Sequence, residues 1–188
     1  MKESILDFWF GRAGAPGYGG ERSQWFRKDA GFDEEIRLRF GAAIETALGG
    51  GFSEWTNASG VLARILLVDQ FTRNIYRETP RAFAGDALAL SLARQAVERG
   101  DDRALVPVQR WFMYMPFTHA ENVAAQETAL DLFTGLRDES GLAGPLHWAK
   151  RHAEVIRRFG RFPHRNAILG RASTPEEIAF LGNPGSGF

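Results

Sequence analysis

Three stretches of this chain carry the residues best equipped for chemistry. The first, "DQFTRNIYRETPR" (69–81), sets Asp69, Gln70, Arg73, Asn74, Arg77 and Arg81 directly behind the apolar run "VLARILLV". At about 100° per residue, Asp69, Gln70, Arg73, Asn74 and Arg77 share an arc of roughly 140° that also contains Leu62 and Leu66. A stripe that begins as core therefore ends in charge. Arginine offers a planar fork matched to carboxylate and phosphate, and a partly buried surplus of cations calls for an anion. The second stretch, "FGRFPHRNAILGR" (159–171), supplies Arg161, His164, Arg165 and Asn166, and from Lys150 to Arg171 seven basic residues face Glu154 alone. The third, "YMPFTHAEN" (114–122), places His119 two residues before Glu121. Imidazole and carboxylate are the usual partners in general acid–base work.

Each stretch also has a purely structural reading. Asp69 and Arg73 can form an i,i+4 pair, with Gln70 and Asn74 satisfying nearby backbone so that the arc stitches helices together. The acidic residues Glu121, Glu127, Asp131, Asp138 and Glu139 can absorb arginines of the basic segment, though not obviously Arg161, His164 and Arg165. His119 and Glu121 can serve as helix-end hydrogen-bonding groups. The functional reading assigns Asp69, Arg73, Asn74, Arg77, Arg81, Arg161, Arg165 and Asn166 to ligand binding, with His119, Glu121 and His164 as catalytic candidates. No metal ligand set is assigned: the chain has no cysteine and no His-Glu-x-x-His motif. No cofactor is implied, since the glycine-rich loop "GRAGAPGYGG" lacks the Lys-Ser/Thr of a phosphate loop and follows no strand.

The elements that must position these residues read as helices throughout, with no alternating strand. Ser4 and Asp7 suggest a capping pair for a first helix that Gly11 ends. "ERSQWFRKD" reads as a short helix, and Ile36, Phe40, Ala43 and Ala47 mark the buried stripe of a longer one. Asn57 or Ser59 caps a helix from Val61 to about Tyr76. Thr79 and Pro80 open one that runs to Gly100, and Pro116 is expected to interrupt the helix that follows Pro107. Two more follow, and Thr174, Pro175 and Glu177 form a capping box for the last. The expectation is an all-α fold of seven or eight helices stacked as antiparallel hairpins, a single domain over 1–182 with a flexible tail over 183–188. The five tryptophans read as core anchors, as does His152; His147 reads as exposed.

Length and composition set the outer bounds. The chain has 188 residues, 44% of them hydrophobic, and 23 basic residues cancel 23 acidic ones. There is no global field to draw a nucleic acid or an anionic membrane. No apolar run approaches the ~20 residues needed to cross a bilayer, and the N-terminus does not read as a signal peptide. A cytoplasmic protein is the expectation, its oligomeric state left open.

The ensemble of "ILDFWFG", "ILLVDQFTRNIYRETPRAFAGD", "FMYMPFTHAENVAAQ" and "FGRFPHRNAILGRASTPEEIAFL" resembles the bacterial domain-of-unknown-function family 924, a member of the tetratricopeptide-like helical superfamily. The resemblance implies a stack of helical hairpins with no established activity. The family pattern usually has proline where this chain has Thr72, and acidic residues where it has Thr118 and Asn122. Loss of those two acids argues against a multi-carboxylate mechanism. Three functions remain open: binding of a small anionic molecule or peptide terminus in an arginine-rich pocket, an enzyme acting on an anionic substrate through a His/Glu pair, and a protein-interaction scaffold.

Overall fold

In the computed structural model, which describes residues 1–183, the chain forms eight α-helices and no strand among those residues. They are α1 (Lys2–Phe10), α2 (Ala30–Leu48), α3 (58–75), α4 (Asp86–Arg99), α5 (Pro107–His119), α6 (Val123–Ser140), α7 (Gly144–Phe159) and α8 (Pro175–Leu181). Of the tail expected over 183–188, residues 184–188 lie outside the described residues. No helix is long and apolar enough to cross a membrane among the described residues.

Helices α5, α6 and α7 run antiparallel in succession, as their cross-links show. Arg110 near the start of α5 meets Glu139 at the end of α6, and Glu127 near the start of α6 meets Arg157 at the end of α7. The main core extends from Ile5 on α1 to Ala149 on α7, and Trp9, Phe10, Phe40, Phe71 and Phe112 are among its largest buried side chains. These rings pack edge-on or offset; Trp9 and Phe112, for example, lie 5.5 Å apart at 87°. Val155, Ile156 and Phe162 form a smaller cluster beside it.

Helix α3 is the element that matters most for the polar residues. Asn57 caps it by accepting from Gly60 N–H (2.9 Å). It is α-helical over Ala58–Ile65, widens into a π-helix over Leu66–Phe71 and closes as α-helix over Thr72–Ile75. The π turn breaks the regular ladder, and Leu66, Leu67, Val68, Asp69, Gln70 and Phe71 are all buried, as are Gly60, Val61, Leu62 and Ala63 before them, so the helix is enclosed on every side. Thr72 fills the resulting gap in the ladder: its hydroxyl donates to Val68 O at 2.9 Å. Gly85, just before α4, rests against that same carbonyl, and a Cβ there would lie 2.0 Å from Val68 O.

Several local expectations are corrected. Met1, not Ser4, occupies the N-cap of α1, with no side-chain cap, because the helix begins before Ser4. "ERSQWFRKD" gives only a 3₁₀ turn over Ser23–Trp25. The segment after Thr79 is a 3₁₀ turn, Pro80–Phe83, and the α-helix starts only at Asp86, where Gly85 allows close packing on α3. Pro116 does not interrupt α5, which continues to His119; the lost N–H removes one bond near a helix end that stops three residues later. That end is held from outside by Gln126 of α6, whose Nε2 donates to the carbonyls of Thr118 (2.9 Å) and Ala120 (2.8 Å). Trp148 is 46% exposed, with the Arg151 guanidinium over its ring, so it is no core anchor; Trp9, Trp25 and Trp111 are. The Thr174–Glu177 capping box and the buried stripe of α2 stand as expected.

Candidate functional site

The residues singled out above separate into one inner cluster and three outer ties. The inner cluster begins at the completely buried Asp69, in the π turn of α3. Its carboxylate accepts from Gln70 Nε2 (2.6 Å), lies 2.7 Å from Nδ1 of His119 at the end of α5, and 3.1 Å from Nη1 of Arg73 one turn on. Burial alone would raise the Asp69 carboxyl, but Arg73 and His119 outweigh it and hold the group below the ordinary carboxylate range. It is therefore ionised and acceptor-only.

Arg73 passes the network outward. Its Nη1 also donates to Asp69 O (2.8 Å), while Nη2 donates to Asp86 Oδ2 (3.0 Å) at the first position of α4. The same Asp86 oxygen accepts from Nη1 of Arg165 (3.1 Å), in the 3₁₀ turn after α7. Residues 69, 73, 86 and 165 thus form a chain of alternating charge that joins three distant parts of the sequence. Two cations meet two anions, so the cluster is balanced. A buried pair of this kind is weak evidence for stability, because desolvation offsets much of the attraction.

Two members keep a buried polar atom without a hydrogen-bond partner among the described residues: Asp86, at Oδ1, and Arg165. Arg165 is only 6% exposed, and its guanidinium lies between two aromatic rings, 4.7 Å from the Phe83 centroid and 4.5 Å from that of Phe162. Nη1 uses Asp86, whereas Nε is buried and meets no acceptor among the described residues. Burial, and then the neighbouring Arg73, push Arg165 down to about 10 against the pull of Asp86.

Three imidazoles are linked to one another through ring contacts and Phe162. The His119 ring is 6.3 Å from that of His152 on α7, His152 is 5.5 Å from Phe162, and Phe162 is 5.6 Å from His164. Burial lowers all three, His152 to about 3 and His164 to about 4; the nearby Arg73 further lowers His119, and Arg165 further lowers the other two. All are neutral at pH 7. His119 has a carboxylate on Nδ1, so its proton sits there and Nε2 carries the lone pair. His152 Nδ1 faces Trp148 O at 2.8 Å and must also be the protonated nitrogen.

The remaining candidates are engaged elsewhere. Arg77 donates twice to Asp33 of α2 (2.6 and 3.0 Å), and Asn74 donates to the same carboxylate (2.6 Å), tying α3 to α2. Arg81 pairs with Glu45 on the exposed surface, as does Tyr76. Arg161 binds Glu177 with two donors (2.7 and 2.8 Å), and Asn166 donates to Glu177 and accepts from Arg171 (3.0 Å). Glu121 is not the partner of His119: it accepts from Phe162 N–H (2.8 Å) and holds Arg171 with both oxygens (2.6 and 2.9 Å), which seats the 161–171 segment on the start of α6. The cations therefore carry no large surplus. Their acids come from Asp33, Glu45, Asp86, Glu121 and Glu177, each remote in sequence from the arginine it meets.

Asp86, Phe83, Phe162 and His152 belong to the inner cluster or hold it, and sequence reasoning placed none of them there. For Asp86 a signal existed, since it closes the same polar stretch, but a carboxylate at a helix start also reads as dipole compensation. Among the described residues no group of three or more His, Cys, Asp or Glu is disposed to hold a metal ion.

Comparison with known proteins agrees with this architecture. No curated protein matches the chain. The solved structure of ATU0120, a protein of unknown function from Agrobacterium tumefaciens, is similar at a TM-score of 0.84 and 43% identity, covering 96% of each chain. A family model described as "Bacterial protein of unknown function (DUF924)" matches residues 5–185. With nearly the whole length matched, the chain belongs to this bacterial family.

Proposed function

We propose that the inner cluster binds a small oxyanion, a carboxylate or phosphate group, on the free edge of Arg165 with His119 beside it. One observation carries this reading: a guanidinium nine-tenths buried between two rings, sharing its single carboxylate with Arg73 and left with a buried Nε that no described residue accepts. An unmet buried donor costs about 1–3 kcal/mol, more when charged, and a bound anion returns that cost. The anion site is narrower than the sequence reading, since Arg77, Arg81 and Arg161 have carboxylates of their own.

The test is a thermal-shift and calorimetric titration with inorganic phosphate and acetate on the wild-type chain and Arg165→Met, which keeps an apolar stem between Phe83 and Phe162. Stabilisation by either anion that Arg165→Met abolishes supports the reading. Absence of any shift at tens of millimolar, or a shift that the variant retains, rejects it.

A second reading, proton transfer on an anionic substrate, is favoured by the Asp69–His119 pair. A fully buried carboxylate on Nδ1 fixes the imidazole orientation and leaves Nε2 as a base. On this reading Asp69, not Glu121, is the carboxylate that supports the base. Both readings place the protein in contact with small anions rather than nucleic acid.

A further inference from the structure

A cavity of about 280 Å³ lies between α4, the 3₁₀ turn over Asp101–Ala104, α5 and α6, toward the ends of α4 and α5 opposite Asp86 and His119. We infer that it is a second ligand site, taking a small zwitterion that carries an amine and a carboxylate on one short apolar chain, the amine on Asp131 and the carboxylate on Arg103. The polar lining divides into a closed set and an open pair. Tyr114 Oη donates to Asp102 (2.5 Å) and accepts from Nε of Arg110 (3.0 Å), whose Nη1 donates to Glu139 (2.5 Å). Those four groups satisfy one another. Asp131 and Arg103 line the same cavity, yet neither side chain makes a hydrogen bond or ion pair among the described residues, with each other or with a third group. Arg103 acts on Glu139 only at longer range.

Helix α6 presents open space at this point rather than packing. Asp131, Gly135 and Glu139 follow one another at steps of four and so share one ridge of the helix along the cavity. Arg110 closes the Glu139 end of that ridge, about two turns from Asp131. Glycine is a poor residue for a helix interior, no positive φ calls for it at 135, and a Cβ there would meet nothing within 4 Å. Its missing side chain widens the cavity between the two acids. Val97 and Leu132 add apolar wall for a short carbon chain. Two opposite charges held apart on the wall of one cavity are satisfied together by a molecule that carries both. An ion of a single charge leaves one of them to solvent.

The test is an NMR titration of the folded chain with 5-aminovalerate, whose charges sit at the two ends of its chain, and with norvaline, whose charges sit together at one end. Pentylamine and valerate serve as analogues that carry one charge each. One of the zwitterions is expected to bind at least ~5-fold more tightly than both single-charge analogues, and the one preferred gives the charge spacing of the ligand. Asp131→Asn and Arg103→Gln alter exposed side chains and are each expected to remove that preference. Gly135→Leu, which fills the cavity, is expected to abolish binding. Three results overturn the inference: no binding of either zwitterion at millimolar concentration, equally tight binding of a single-charge analogue, or a preference that survives Asp131→Asn or Gly135→Leu.

Discussion

Acidification from pH 7 to pH 5 should destabilise this protein through its buried imidazoles, and the size of the effect can be worked out. His152 is held down to about 3 and His164 to about 4 in the folded chain, whereas each has an ordinary value of ~6.5 when unfolded. The folded values are depressed, so below pH 6.5 the unfolded chain binds protons that the folded chain refuses, and stability falls as pH falls. The window runs from about pH 6.5 down to about 4, where His164 begins to charge in place. Over the two units from pH 7 to 5 each imidazole removes about 2 kcal/mol, about 4 kcal/mol together, from a typical total of 5–15. The depressed carboxyls, Asp69 and Glu121, have the opposite relation to their partners: their contribution is intact above ~4 and is lost only below it, outside this window. Urea unfolding followed by tryptophan fluorescence should show the midpoint falling by about 2 M for a slope near 2 kcal/mol per molar. His152→Gln should recover roughly half of that drop. A midpoint unchanged between pH 7 and 5, or one that falls equally in His152→Gln, would refute the reasoning.

Gly85→Ala should lower the thermal midpoint sharply, because the new methyl meets the Val68 carbonyl at 2.0 Å and neither backbone can yield cheaply; overpacking of this kind costs about 1–3 kcal/mol or more. Asp86→Asn removes the one carboxylate that competes for Arg165, so phosphate affinity should rise several-fold while stability drops; weaker phosphate binding in a folded variant would count against the site. Arg81→Ala, by contrast, breaks an exposed pair with Glu45 and should leave the thermal midpoint nearly unchanged, with phosphate binding untouched.

The helices were legible because their signals are local. Apolar spacing, the Asn57 cap and the Thr174–Glu177 box all act within a turn or two of chain, and each appears where the pattern put it. Helical phasing also sent Asp69 and Arg73 inward. What it could not show is that neighbouring elements enclose this helix on every side, burying Gly60 to Ala63 as well as Leu66 to Phe71, since phasing assumes one face left to solvent. The partners were harder still. Asp33 with Arg77, Glu121 with Arg171 and Asp86 with Arg165 are chosen by how helices stack, at separations of 44, 50 and 79 residues. Counting charges along the chain therefore overstated the cationic surplus. The His119–Glu121 spacing fared no better: α5 ends at His119 with its ring directed to α3, while Glu121 opens the next element and faces the 161–171 segment.

The most direct test of the account is imidazole nitrogen spectroscopy of the labelled protein during a phosphate titration. Without phosphate, His119 should show a protonated Nδ1 and a bare Nε2 near neutral pH, as its bond to Asp69 requires. Added phosphate should move the Nε2 signal of His119 to a saturable end point, and the movement should vanish in folded Arg165→Met. A His119 protonated on Nε2, or a spectrum that phosphate leaves unchanged, would contradict the claim that Asp69, His119 and Arg165 form a ligand site.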